Sequence, residues 1–143
     1  MTQADAIISI RPEFAEAILN RSKSVELRRR IPATNRGTRL WIYATMPVGS
    51  IVGTAVVKEI ARGSPTAIWN AYKAHVGLNR TSFFDYYDGA DEAVALVLGT
   101  VTRCSPIGIG QLRLLRSGFH PPQVLTRLTS QEAEWLSSLG EVA

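Results

Sequence analysis

Lys23, Glu26 and Arg28 are the residues whose types and spacing best suit chemistry, a K-x-x-E-x-R pattern within the alternating stretch Lys23–Arg28. On an extended strand Glu26 and Arg28 share one face, while Val25 and Leu27 take the other and point to the core. A lysine beside other cations loses affinity for its proton and moves toward the range of a general base or nucleophile. A neighbouring carboxylate pulls the other way, so spacing alone leaves the net direction open. Glu26, between Lys23 and Arg28, is expected in an ion pair facing a cleft rather than bulk water.

The surroundings of this triad are strongly basic. Between Arg21 and Arg39 lie seven basic residues (Arg21, Lys23, Arg28, Arg29, Arg30, Arg36 and Arg39) against the single acid Glu26, a local charge of +6. The whole chain of 143 residues carries only +4, so the remainder is −2. A basic patch on a near-neutral body is the footprint of a phosphate or nucleic-acid ligand, and also what a solvated charged face looks like. Aromatic groups on the neighbouring stretch add to the first reading. Trp41 and Tyr43 point one way along a strand and Leu40 and Ile42 the other. If the aliphatic pair is core, the aromatic pair is either a stacking surface for bases or packed under the helices that follow.

Other chemistries find no support. The chain has no G-x-G-x-x-G, P-loop, G-x-S-x-G or H-E-x-x-H motif. Its two histidines, His75 and His120, sit at a helix end and before two prolines, and Cys104 ends an apolar run where it reads as buried and inert. No His or Cys spacing suits a metal, and no cofactor is expected. The uncharged stretch Leu40–Val57 is long enough to cross a bilayer, but Pro47-Val48-Gly49-Ser50 at its centre makes it two strands and a turn. The start, Met1–Asp5, lacks the basic flank and apolar run of a leader. A soluble, cytoplasmic protein without membrane contact is expected.

The elements that must position the triad follow from local signals. Ala6–Ile10 is a β-branched strand, and Pro12 opens a helix whose Phe14, Ala15, Ile18 and Leu19 share a face. Ile31–Gly37 is a loop. Thr38–Ala44 and Ser50–Ile60 are strands, the second with a bulge at Gly53. Ser64-Pro65 opens a helix to about His75, a second short helix spans about Arg80–Tyr87, and Glu92–Cys104 is a long strand. Gln111–Leu115 reads as a weak strand. The capping box Thr129-Ser130-Gln131-Glu132 opens a last helix through Leu139. About six strands and three or four helices, without regular βαβ alternation, predict an α+β fold: a small, mostly antiparallel β-barrel with inserted short helices, in one domain over 1–143.

In this setting the sequence resembles the ASCH family, a small branch of the PUA-like domains. The strand, proline, short helix and K-x-x-E-x-R are met in register by Ile10, Pro12, Phe14, Ala15, Ile18, Lys23, Glu26 and Arg28. A second block, Ile42-Tyr43-Ala44-Thr45-Met46-Pro47 followed by Ile51-Val52-Gly53, is similar to the family's I-Y-A-[ST]-x-P … I-x-G segment. The resemblance covers about 6–109, with 110–143 as a C-terminal extension carrying a short helix. Arg21 stands where a glycine is common. The resemblance implies a PUA-like barrel with a cleft beside the first helix. The cleft residues it implies are those of K-x-x-E-x-R, Lys23, Glu26 and Arg28; with Arg29 and Arg30 of the basic stretch, Tyr43 as the stacking candidate and Thr45 of the second block, they are the expected contacts to RNA or a nucleoside.

Relatives are proposed to bind RNA, and some to cleave it or to hydrolyse an acylated cytidine. The amidohydrolase branch uses a lysine, a threonine two or three positions on, and a glutamate from the helical insert. Lys23 matches, Ser24 and Glu26 occupy the neighbouring positions, and Trp69–Asn79 contains no acid. The first reading is therefore a module that binds RNA or a modified nucleobase. The alternatives are an enzyme on the same cleft, with Lys23 as base or nucleophile and Glu26 as its partner, and a regulatory protein-interaction domain.

Overall fold

A computed structural model describes residues 4–141. Most of the stretch read for a leader, Met1–Gln3, lies outside them, as do the last two residues. In chain order the elements are β1 (Asp5–Ile10), α1 (Pro12–Leu19), β2 (Val25–Arg28), β3 (Arg39–Ala44), β4 (Ser50–Gly63), α2 (Pro65–Tyr72), α3 (Arg80–Tyr86), β5 (Ala93–Gly108), α4 (Ile109–Leu115), β6 (Leu125–Leu128) and α5 (Ser130–Gly140).

The six strands form one sheet in the order β2-β5-β4-β3-β1-β6. Only β1 and β3 pair in parallel, and the other four pairings are antiparallel. The expected α+β class holds, but the ladder does not close into the expected barrel: β2 and β6 remain its two edges. The long antiparallel pair β4–β5 curls the sheet instead, through three register shifts between Ile51 and Glu59.

Period-two alternation decides which core each strand serves. Ala6, Ile8 and Ile10 of β1 and Leu40, Ile42 and Ala44 of β3 face α1, whose Ala15, Ile18 and Leu19 complete the first core. The intervening Ile7, Trp41 and Tyr43 face the other side, against Ile107, Leu112, Phe119 and Leu136. The C-terminal extension is thus the second wall of the molecule. It covers Trp41 and Tyr43, which the sequence left open between a stacking surface and packing under the inserted helices. Helices α2 and α3 build a third core on β2 and the start of β5, with Ile68, Val76, Phe83 and Tyr87 against Val25, Leu27, Ala93 and Ala95.

Two local expectations change. Gln111–Leu115 belongs to a helix, α4, because Gln111 accepts from the Gly108 N–H at 3.2 Å and Leu112 alone of the run is buried. Leu125–Leu128, not expected as a strand, adds to the edge of β1 in antiparallel register. The capping box at Thr129 does open α5: Thr129 Oγ1 accepts from the Glu132 N–H at 3.1 Å, and Glu132 accepts from the Thr129 N–H at 2.9 Å. Cys104 is half-buried against Gly140 of α5, and burial pushes its thiol up to about 11.

The bulge at Gly53 has a steric cause. A Cβ there would lie 2.6 Å from both Leu19 Cδ2 and the Thr102 carbonyl oxygen, so α1 and β5 close over the bulge only because the residue is glycine. Gly53→Ala is expected to cost about 1–3 kcal/mol in urea unfolding, the range for forcing an extra methyl into a packed core. A variant as stable as the parent would mean that the close approach is relaxed at no cost.

Candidate functional site

The corner between α1 and β2, with β2 itself, carries the charged triad. The α1 helix starts at Pro12 and ends at Leu19 with Asn20 as its cap, Arg21 then takes a left-handed turn (φ 70°), and the chain enters β2 at Val25 with Lys23 at the corner. Lys23 is 3% exposed. Its alkyl stem is packed by the loop after α2, where Gly77 at φ +69° would place any Cβ 3.2–3.3 Å from it. Its ammonium donates to the Val76 carbonyl oxygen, lies 5.2 Å from the Phe14 ring centroid, and is 3.6 Å from Glu26 Oε1. Glu26, 7% exposed, takes Arg28 on its other oxygen, Nη2 to Oε2 at 2.8 Å. The same Nη2 donates to the Ser9 carbonyl oxygen at 2.7 Å, tying β2 to β1 across the end of the sheet. The expected ion pair around Glu26 is present, with a cation on each carboxylate oxygen.

These groups line a cavity of about 630 Å³, within the range that holds small ligands. Its walls come from β1 (Ser9, Ile10), α1 (Phe14), the triad with Leu27, the turn after β3 (Thr45), the insert (Leu78, Ser82, Tyr86) and the segment before β6 (Pro121, Pro122, Gln123). Apolar surface with a few convergent polar groups suits a flat heterocycle carried on a charged backbone.

Burial pushes the Lys23 ammonium below the ordinary lysine range, and Arg28 adds to the effect. The Glu26 carboxylate opposes them and does not cancel them. The direction that spacing alone left open is therefore downward. Tyr86 is 39% exposed at the cavity wall, and its hydroxyl donates to the Leu27 carbonyl oxygen at 3.4 Å. Partial burial raises its pKa.

The structure brings Lys23, Glu26, Arg28 and Thr45 together in this cavity. Arg29 lies at its edge, donating to the carbonyl oxygens of Tyr86 and Asp88 at 3.4 and 3.2 Å, and Arg30 is exposed at the end of β2. Tyr43 is elsewhere. It is 2% exposed and packs in the second core, because the C-terminal helices cover the face that the strand alternation assigned to it. The +6 segment is likewise divided. Arg39 is held by Asp5 at 2.7 Å and by Ser137 of α5, and Arg21 reaches the Val101 carbonyl oxygen.

Ser9, Ser82, Tyr86 and Gln123 were not among the expected site residues. On α3 and its C-terminal end, Phe83 and Tyr87 pack into the third core, while Tyr86 lines the cavity. At 3.6 residues per turn the adjacent Tyr86 and Tyr87 lie about 100° apart, so the helical period could have indicated that only one of them points into the core. Gln123 enters from a part of the chain about a hundred residues away, and no local signal points to it. Among the described residues, no group of three or more His, Cys, Asp or Glu side chains is arranged to hold a metal ion. None of the helices among them is long and apolar enough to cross a membrane.

Comparisons with known proteins agree with this architecture. A family described as a domain of unknown function (DUF365) matches residues 5–106. The chain is 41% identical over 135 residues to the ASCH domain-containing ribonuclease of Zymomonas mobilis, covering 94% of this chain and 91% of that protein. The crystal structure of ASCH from Zymomonas mobilis superposes with a TM-score of 0.93 at 40% identity, over 96% of each chain. A Pseudomonas syringae protein of known crystal structure shares the fold at 17% identity, with a TM-score of 0.61 over 95% of this chain and 99% of that one.

Proposed function

The chain belongs to the ASCH-domain family, and on that premise we propose that it is a small ribonuclease acting on single-stranded RNA in the cavity between α1, β2 and α3. The observation that carries the reading is Lys23, a buried amine in a cavity wall whose surroundings disfavour its charged form. A relative 41% identical across nearly the whole chain bears the name ribonuclease, which supports it.

Cleavage of RNA uses the substrate's own 2′-hydroxyl. Neutral Lys23 takes the proton of that hydroxyl, and the 2′-oxygen attacks the adjacent phosphorus. The bond from phosphorus to the 5′-oxygen breaks, a 2′,3′-cyclic phosphate forms, and the departing 5′-oxygen takes a proton from water. Arg28, fixed by Glu26 and by the Ser9 carbonyl, faces the charge that grows on the phosphoryl oxygens. Glu26 positions both cations. Phe14 and Tyr86 supply apolar surface for the base, and Arg29 and Arg30 neutralise flanking phosphates.

One observation favours binding without cleavage on the same cavity. The Lys23 ammonium is engaged by the Val76 carbonyl and Glu26, and both contacts stabilise its charged form. Both readings need RNA at the basic rim, and that is testable first. In Arg29→Ala/Arg30→Ala, the plot of log affinity for single-stranded RNA against log salt is expected to flatten by about 0.7 for each phosphate that is no longer neutralised. Unchanged affinity and slope would make the rim a solvated face and favour the protein-interaction reading.

A further inference from the structure

Among the described residues three cations line the cavity, Arg11, Lys23 and Arg28, and they differ in how freely they present their charge. The side chains of Lys23 and Arg28 are 3% and 14% exposed, and each is held by Glu26 and by a backbone carbonyl oxygen, of Val76 and Ser9 respectively. The Arg11 side chain is 72% exposed. Its contacts are Glu13, also exposed, with Nε 3.4 Å from Oε1, and the Phe14 ring, whose centroid lies 5.7 Å from the guanidinium carbon. Ion pairs and ring contacts at such exposure contribute little, so a phosphate can draw the guanidinium away from the carboxylate at small cost.

The arm is free but its root is fixed. Arg11 stands at the corner between β1 and α1, where the following Pro12 confines its backbone to the extended region (φ −61°, ψ 145°). Its carbonyl oxygen accepts from the N–H groups of Phe14 and Ala15 at 3.0 and 2.9 Å. The Phe14 ring beside it is also 5.2 Å from the Lys23 ammonium, so an exposed guanidinium and a buried amine are held around one ring of the cavity wall. On the α3 side, Arg29 is exposed and anchored to the carbonyl oxygens of Tyr86 and Asp88. A nucleotide seated in the cavity thus meets one free cation on the α1 side and another on the α3 side. The planar guanidinium fork can grip two oxygens of a phosphate at once, which an ammonium does not. We propose that Arg11 is a substrate-contacting clamp that leaves Glu13 and donates two hydrogen bonds to the RNA phosphate on the α1 side of the seated nucleotide. Position 11 lies outside the basic run from Arg21 to Arg39, and Glu13 becomes a competitor that holds the clamp until RNA arrives. The assignment rests on the ribonuclease reading of the same cavity.

The test is a double-mutant cycle on binding of a 2′-O-methyl oligouridylate, which has no 2′-hydroxyl to attack, with cleavage of the matching RNA measured alongside. Arg11→Ala is expected to raise the Kd ~10-fold, the worth of hydrogen bonds to a charged group. Its unfolding midpoint is expected within about 2 °C of the parent's, because the side chain is exposed. Arg11→Lys keeps the charge without the fork and is expected to raise the Kd ~3-fold. Glu13→Gln releases the clamp and is expected to lower the Kd roughly 2-fold, the worth of an exposed ion pair, with no effect once Arg11 is alanine. An unchanged Kd in Arg11→Ala overturns the proposal, as does full rescue by lysine or a Glu13→Gln effect of equal size with and without Arg11, since either would make Arg11 one charge in a diffuse field. If the parent binds the oligonucleotide but leaves RNA uncut, the ribonuclease reading fails while the Arg11 assignment is still decided by the cycle. If the parent cuts RNA and Arg11→Ala binds as the parent does, the assignment fails and the ribonuclease reading stands. A parent that binds no RNA overturns both.

Discussion

Glu26→Gln is expected to destabilise the protein by about 3–5 kcal/mol at neutral pH, the range for removing one partner of a buried charge pair. Glutamine keeps the shape of the side chain but withdraws the charge that both Lys23 and Arg28 face at 3.6 and 2.8 Å, and it turns an NH2 donor toward one of them. Against a total stability of about 5–15 kcal/mol, that loss is a large fraction. Its pH dependence has a defined sign. Lys23 already titrates below an ordinary lysine in the folded state, and loss of the carboxylate lowers it further. A depressed folded-state pKa gives stability that is present above the unfolded lysine value and lost as pH falls toward the folded one. The deficit of Glu26→Gln is therefore largest near neutrality and shrinks as pH climbs toward 10.5, the ordinary lysine value. Adding Lys23→Met removes one of the stranded cations and restores part of the loss. Urea unfolding across that pH range checks all three statements. A single variant within about 1 kcal/mol of the parent at neutral pH would show that the pair is solvated like a surface ion pair.

Lys23→Met is expected to separate activity from stability. Methionine retains most of the alkyl stem against Phe14 and Gly77, and Glu26 keeps Arg28 as its partner, so the fold loses little. Turnover of RNA is expected to fall by at least about tenfold, and by ~100-fold if proton transfer limits the rate. The parent's kcat/KM is expected to rise with pH until Lys23 is neutral, at a value below the ordinary lysine range because burial disfavours the ammonium. The variant lacks that limb. Full activity in folded Lys23→Met, or a parent profile with no rise in the alkaline range, would place the proton transfer on another group.

How much of this was legible in the sequence depends on how local each cause is. The alternation of Leu40, Ile42 and Ala44 against Trp41 and Tyr43 is a property of one strand, and it assigns both faces correctly. What covers the second face is non-local: α4, Phe119 and α5 arrive from the C-terminal extension and turn a candidate stacking surface into core. The same extension supplies Gln123 to the cavity and β6 to the sheet, and four residues, Leu125–Leu128, carry too short a pattern to announce an edge strand. Pro12 and the Thr129 capping box are local stop-and-start signals, and the helices they open are where they point. Gln111–Leu115 misleads because its three leucines lie within four residues, a spacing that fits a strand or one turn of helix; the Gly108–Gln111 contact decides for helix. Within the site, K-x-x-E-x-R was legible because one short strand and the corner that leads into it hold all three residues. The direction of the Lys23 shift was not, since it depends on how deeply Phe14 and the Val76–Gly77 loop bury the amine. Ser9 was hidden for another reason: a lone serine between Ala6 and Ile10 carries no pattern.

The most direct test of the central assignment is an incubation of the parent protein and Lys23→Met, side by side, with an end-labelled single-stranded RNA and its 2′-O-methyl counterpart. Cleavage is resolved by gel and fragment ends are identified by mass spectrometry. The assignment predicts fragments ending in 2′,3′-cyclic phosphate from RNA with the parent, loss of those fragments with Lys23→Met, and an intact 2′-O-methyl strand with both. Uncut RNA with the parent, equal cutting by the two proteins, or cleavage of the 2′-O-methyl strand would contradict it.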